Sequence, residues 1–284
     1  MLKPGHGEGV QHKMRAAPDL KAYTNYEYKF DLKGDSSAAA IVRFIKPGSR
    51  VLDIGAGSGS ITRQLVKRLK CDVVAVENNP AAVAKLRTFC TTVHDVDLNT
   101  ETWAQDVVSR QKELGFATDF DYVIAGDVLE HLYDPWMTAK RMASLVTPDG
   151  RVVISVPHSG HSSVVAAFFN SDIDLQPSGI LDKTHIRFFG LRNIDDLHAH
   201  AGLAIADVHY VIRPPETSDL ATHWFELSQA ARTVIAARAC ADVYQVVTSA
   251  GKTGRVDKPV TLSSVASPAK KSSGNLWQRI KARA

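Results

Sequence analysis

The residues best able to do chemistry begin with Asp53, two positions ahead of three glycines, Gly55, Gly57 and Gly59, set on alternate positions. A loop stripped of side chains leaves its backbone N–H groups open to a ligand, most of all where a helix begins. Ile61 opens such a helical pattern just beyond the loop. The spacing is G-x-G-x-G, whereas a dinucleotide site uses G-x-G-x-x-G. Asp53 also places a negative charge where a pyrophosphate would lie, and like charges repel. A ligand without phosphate and with a positive centre suits the loop better. A second acid, Glu77, closes an apolar run 18 positions beyond Gly59, the spacing at which a carboxylate accepts hydrogen bonds from ribose hydroxyls. Two histidines, His131 and His185, are candidates to take a proton near neutral pH. Asp182, three positions before His185, is a candidate to orient it.

S-adenosylmethionine carries an ammonium and a sulfonium and no phosphate, so it meets these requirements. The elements that must position the acids follow in order along the chain. A strand is expected at 50–54 and a helix at 60–69, with Ile61, Leu65 and Leu69 on one face. A second strand covers 72–76, and Asn79-Pro80 caps a helix reaching Phe89. A short strand ends at His94, an amphipathic helix spans 101–114, and a fourth strand runs from Phe120 to Ala125. Asp134-Pro135 caps the next helix, and Pro148-Asp149-Gly150 turns into a fifth strand, Arg151 to Val156. This βα alternation implies a parallel sheet with helices on both faces, whose ligands bind outside the carboxyl ends of the strands. Asp53, Glu77, Asp95, Asp127 and Pro157 all fall at those ends.

Composition bounds the rest. The chain has 284 residues, 44% of them hydrophobic, enough for a full core. Its three cysteines, Cys71, Cys90 and Cys240, are scattered, which points to a reducing, cytoplasmic setting and away from a structural zinc or disulfide framework. The histidines, cysteines and acids show no metal-ligand spacing, so no metal site is expected. No leader-like apolar run opens the sequence, and no stretch long enough to span a membrane is present. The net charge of +4 is uneven: residues 251–284 hold eight basic side chains and one acid, against 26 basic and 29 acidic in the remainder. The folded body therefore has no electrostatic footprint for nucleic acid.

The loop from Asp53 to Gly59, with Glu77, the turn His94-Asp95-Val96-Asp97, the run Asp127-Val128-Leu129-Glu130-His131-Leu132 and the Pro148–Pro157 strand, resembles the class I S-adenosylmethionine-dependent methyltransferases over roughly residues 36–250. That resemblance implies an α/β, Rossmann-like, doubly wound sheet of seven mostly parallel strands, the last antiparallel, with Ile205 to Ile212 and Val243 to Ser249 as its final pair. It also implies that Asp53, Gly55, Ala56, Gly57 and Gly59 hold the methionine end of the cofactor, Glu77 and Asn78 the ribose, and Asp95 and Val96 the adenine. Asp127 would line the pocket beside the reacting methyl. The stretch from Gly179 to Phe189 resembles bacterial methyltransferases of small-molecule and cell-surface sugar biosynthesis.

The domain reading follows. Residues 1–35, with Tyr23, Tyr26 and Tyr28, form an arm that could cap the pocket. Residues 36–250 form the catalytic domain, with 158–187 as a substrate lid without regular structure after strand five. Within it, 213–241 is a helical insertion with Trp224, Leu227, Ala231, Val234 and Ile235 on one side, serving core packing ahead of an enlarged pocket or a homodimer contact. Residues 251–284 form a basic, disordered tail, in which Leu276 to Lys281 could be a short basic helix. The expected reaction is methyl transfer to a small molecule, with a hydroxyl of a sugar or other polar metabolite favoured and S-adenosylhomocysteine as product. Its catalytic residues would be His185, His131 and Asp182. The alternatives are a non-catalytic scaffold with this fold and, behind it, a nicotinamide-dependent oxidoreductase.

Overall fold

A computed structural model of the chain describes residues 29–266, apart from Asp172 and Asp174. Tyr23, Tyr26, Tyr28 and the basic stretch from Leu276 to Lys281 lie outside the described residues. In chain order the elements are α1 (Ser37–Phe44), β1 (Arg50–Ile54), α2 (Ser60–Lys67), β2 (Asp72–Val76), α3 (Pro80–Leu86), β3 (Thr92–His94), α4 (Trp103–Glu113), β4 (Phe120–Gly126), α5 (Pro135–Leu145) and β5 (Val146–Pro157). Then come α6 (Ser162–Phe169), α7 (Leu191–His200), β6 (Leu203–Ile212), α8 (Ala221–Glu226), α9 (Gln229–Ala236) and β7 (Val243–Lys252).

Local chemistry starts most of these helices where they start. Ser36 caps α1 by accepting the Ala39 N–H, Asn79 caps α3 with Pro80 at its first position, and Asp134 caps α5 ahead of Pro135. The seven strands form one sheet in the order β3-β2-β1-β4-β5-β7-β6. β1 to β5 are parallel, while β7 runs antiparallel to both neighbours. The central strands read as continuous apolar runs because both faces are covered. On one face Ile41, Leu65 and Leu86 pack over Val51, Val73 and Ile124; on the other, Trp103, Met142 and Leu197 pack over Leu52, Val123 and Ile154. The expected doubly wound architecture is the one observed.

Three expectations need correction. The 158–187 segment is not without regular structure: α6 crosses it, capped by His161, which accepts the Ser163 N–H. Its sequence, Ser-Ser-Val-Val-Ala-Ala-Phe-Phe, has no polar face and so no amphipathic period to betray it. The 213–241 insertion is not one helical stretch but carries two helices, α8 and α9, because the Ser228 side chain accepts the Ala231 N–H and starts α9 afresh; Val234 then points outward, 71% exposed. Packing also continues past residue 250. β7 runs to Lys252, Val260 donates its N–H to Ile205, and Leu262 is fully buried.

Candidate active site

The loop after β1 is built around Asp53. Its side chain is buried and accepts a hydrogen bond from the Thr62 hydroxyl at 2.5 Å. Burial pushes the carboxyl up to about 7, against the lowering effect of Thr62, and the nearby Glu77 charge adds to the rise. Gly57 presents its α-carbon to open space and donates its N–H to Glu77 at 2.8 Å. Gly59 serves packing instead. It caps α2 with φ +80°, and a Cβ there would come 2.5 Å from Phe89. Glu77 is held by the N–H groups of Asn78 and Asn79 as well, at 3.0 and 2.8 Å.

Two adjoining cavities open over the carboxyl ends of the strands, of about 250 and 340 Å³. The smaller one is lined by Asp53, the loop, Glu130, Asp182, His185, Tyr244 and Gln245; the larger by Glu77, Asn78, Val96, Asp97, Leu98 and Asn99. Gly55, Gly57, Asp127 and His131 line both. Of the cofactor residues expected from the sequence, Asp53, Gly55, Ala56, Gly57, Glu77, Asn78, Val96 and Asp127 face these spaces. Gly59 and Asp95 are in neither lining, and Asp97, two residues on, stands in the wall instead.

Asp127 is the most constrained residue of the site. It holds φ +55° without being glycine, a conformation that side chains rarely adopt. Its carboxylate accepts from the Ser155 hydroxyl at 2.6 Å, from Gln245 Nε2 at 3.1 Å and from the Ser37 hydroxyl at 3.2 Å. Three elements, β5, β7 and α1, thus lock one side chain. Sequence reasoning missed all three donors, since nothing local marks a serine or glutamine as a partner for an acid many residues away.

The third group comes from the turn after β4 and the segment before α7. Ile186 and Arg187 donate their N–H groups to the Glu130 carbonyl at 2.9 and 3.0 Å, which brings the two segments together. The His131 and His185 rings meet edge to face with centroids 4.8 Å apart. Asp182 holds His185 by its backbone, its carbonyl accepting the His185 N–H at 2.9 Å. Its Oδ1 accepts both the N–H and the hydroxyl of Thr184, each at 2.8 Å. Because the Thr184 hydroxyl donates to Asp182, His131 Nδ1, 3.0 Å from that oxygen, must be the donor to it. His185 Nδ1 faces the Ile180 carbonyl at 3.3 Å, a pure acceptor, so it too carries the proton. Both imidazoles therefore present a bare Nε2. Burial lowers the pKa of each below the usual histidine value, keeping them neutral.

Glu130 completes the group and was missed as a functional residue. It is 1% exposed, neither carboxyl oxygen has a hydrogen-bond partner, and Oε1 lies 4.0 Å from His185 Nε2. Burial, and then the Asp127 charge, push its carboxyl well above the ordinary range. One ligand atom each from Glu130, His131 and His185 can be chosen so that all lie within 4.8 Å of one another. The sequence suggested no metal set because His185 lies 54 positions beyond the adjacent Glu130 and His131; the fold assembles one. Elsewhere, His158, His161 and His198 are tied to backbone carbonyls and serve structure.

A family model described as a methyltransferase domain matches residues 30–208. The ubiquinone biosynthesis O-methyltransferase of Aeromonas salmonicida is 26% identical over 170 residues, covering 57% of this chain and 67% of that protein. The enzyme of the same name from Bradyrhizobium diazoefficiens is 28% identical over 130 residues, covering 45% of this chain and 48% of its own. The chain thus spans between about half and two thirds of the length of these relatives. Among solved structures, the Burkholderia thailandensis 1,6-didemethyltoxoflavin-N1-methyltransferase, with S-adenosylhomocysteine bound, aligns with TM-score 0.47 and 19% identity, over 77% of this chain and 79% of that one.

Proposed function

The chain belongs to the methyltransferase-domain family and is S-adenosylmethionine-dependent, and on that premise we propose that it transfers the methyl group to an oxygen of a small polar metabolite held in the smaller cavity. The observation that carries this reading is the shared wall. Asp127 and His131 line both cavities, so a ligand in one meets a ligand in the other across them. In this reading the cofactor spans both spaces: its adenine lies among Val96, Asp97, Leu98 and Asn99 of the larger cavity with its ribose hydroxyls on Glu77, and its methionine end crosses the shared wall so that the ammonium pairs with Asp53 in the wall of the smaller one. The methyl then faces the smaller cavity. Methyl transfer needs a nucleophile in line with the departing sulfur, so holding the two ligands at a fixed junction supplies much of the rate.

A hydroxyl acceptor must also lose its proton at neutral pH. Glu130, His131 and His185 are the groups placed to draw it off, with Asp182 and Thr184 fixing His131. Oxygen is favoured over nitrogen because the curated relatives are named O-methyltransferases. The sugar acceptor expected from the sequence has no feature of this cavity in its favour, and neither does the scaffold or the oxidoreductase.

The test is a two-part binding and turnover assay. S-adenosylhomocysteine at about 100 times its dissociation constant should stabilise the protein by about 2.7 kcal/mol, and NAD should not. Labelled methyl from S-adenosylmethionine should then appear on a hydroxyl in a panel of polar metabolites. Stabilisation by NAD alone, or label found only on nitrogen, overturns the respective half of the reading.

A further inference from the structure

We infer that Glu130, His131 and His185 form a binding site for a divalent cation of the zinc class, set at the junction of the two cavities. For its chemistry, though not for its binding test, this rests on the methyl-transfer reading above. Three observations converge on it. The Glu130 carboxyl is 1% exposed with both oxygens unpartnered, and a buried polar group left without a partner is costly enough that folded proteins rarely keep one unfilled. Both histidines commit Nδ1–H to protein oxygens, Thr184 and Ile180, and leave Nε2 bare toward the cavity; this anchoring through the far nitrogen is how metal-binding histidines are oriented. One ligand atom from each residue can be chosen so that all three lie within 4.8 Å of one another, and His185 Nε2 stands 4.0 Å from Glu130 Oε1. A tetrahedral ion with bonds of about 2.1 Å separates its ligands by about 3.4 Å, so movements below about 1 Å would close the set.

The neighbouring acids are occupied otherwise. Asp127 accepts from three side chains, and Asp182 Oδ1 accepts twice from Thr184. Their charge surrounds the site without adding a ligand. Two imidazoles and one carboxylate leave a fourth position free and suit zinc, whereas magnesium prefers an all-oxygen shell. The acceptor hydroxyl would take that fourth position. Its oxygen binds the cation, which then acidifies the hydroxyl in place of direct proton uptake by the three side chains now serving as ligands, and the proton leaves to solvent. The metal-bound oxygen then forms the new bond to the methyl carbon while the carbon–sulfur bond breaks, its electron pair returning to sulfur to give the neutral thioether. The ether product carries less negative charge than the alkoxide and leaves the cation.

The full chain, stripped with EDTA, would be dialysed against Zn²⁺ and, separately, Mg²⁺, and the bound metal counted by atomic emission. One equivalent of zinc and no magnesium are expected. The Glu130→Gln and His185→Ala variants should each lose zinc affinity by about 100-fold or more. Neither residue lines the larger cavity, so both variants should keep the thermal shift with S-adenosylhomocysteine, which also shows that they are folded. Zinc retained equally by both variants would place it elsewhere, for example on His6 and His12, and would overturn the site. So would one equivalent of magnesium in place of zinc. A shift with S-adenosylhomocysteine but no zinc removes the metal site and leaves the transferase. Zinc bound at one equivalent without that shift supports the site and counts against the transferase.

Discussion

Asp53 illustrates what a single buried charge does in this molecule. The carboxyl sits at the end of β1 with one hydroxyl partner, and burial holds its pKa up to about 7. An ammonium can pair only with the ionised form, so ligand binding must drive the proton off whenever the pH lies below that value. The affinity for S-adenosylhomocysteine should therefore fall about tenfold per pH unit below 7 and level off above it. Calorimetry in two buffers of different ionisation enthalpy should register the released proton at pH 6. Asp53→Asn should bind weakly and without this slope. A flat wild-type profile would remove the charge pairing from the account. In the ligand-free protein the sign reverses: a raised carboxyl pKa means the native state holds the proton more tightly than the unfolded chain, so this residue's contribution to stability declines as pH rises from about 4 to 7.

The elements around the pocket are fastened by a few polar latches, and these can be tested one at a time. Asp219 accepts the Tyr244 hydroxyl at 2.6 Å and the Ile180 N–H at 3.0 Å, pinning the 176–185 segment against β7. Gly179 has φ +103°, and a Cβ there would lie 2.1 Å from Asp219 Oδ2. Gly179→Ala must therefore push the latch open. The expected result is a rise of about tenfold or more in the acceptor's KM with cofactor affinity unchanged, since the larger cavity is not lined by this segment's latch; an equal rise in both would mean the damage is general. His158 is the second latch. It donates Nδ1–H to Val243 at 3.1 Å, and burial lowers its pKa to about 4. A depressed histidine pKa means the unfolded chain takes up a proton first, so stability is full above about 6.5 and is lost as pH falls toward 4. Relative to His158→Asn, which can keep the bond to Val243, the wild type should lose about 3 kcal/mol across that window in denaturant melts. Parallel curves would show that His158 titrates normally. None of these latches is legible in the sequence, where Gly179 reads as a lid glycine and His158 as one residue of a turn. The βα elements were legible because their signals are local: apolar runs for strands, Asn79-Pro80 and Asp134-Pro135 for helix starts. Glu130 was not. Its meaning depends on His185, which only the fold brings to it.

At the scale of the whole molecule, the sheet separates two main cores, one on each face. One is built on α1 and α2, the other on α4, α5 and α7. The site lies on neither, but along the strand ends where both supply residues: Ser37 from the first side and His131 from the turn leading into the second. The core on the α7 side also takes in residues beyond β7. The composition of 251–284 concealed them, because Lys, Ser, Thr and Pro outnumber the apolar residues there. Yet the chain turns back after β7, Val260 pairs with Ile205, and Leu262 is 0% exposed against the larger core. Asp195 of α7 holds the returning segment by accepting the N–H groups of Leu262 and Ser263, both at 2.8 Å. Truncating a fully buried leucine removes its transfer energy and leaves a cavity, so Leu262→Ala should cost about 2–5 kcal/mol. For a domain of this size that is a fall in Tm on the order of 5–15 °C. Saturating S-adenosylhomocysteine should raise the variant's Tm by the same free energy as the wild type's, because Leu262 touches neither cavity. A loss under about 0.5 kcal/mol, the scale of an exposed substitution, would mean that the returning segment contributes nothing to the core and that the folded unit ends with β7.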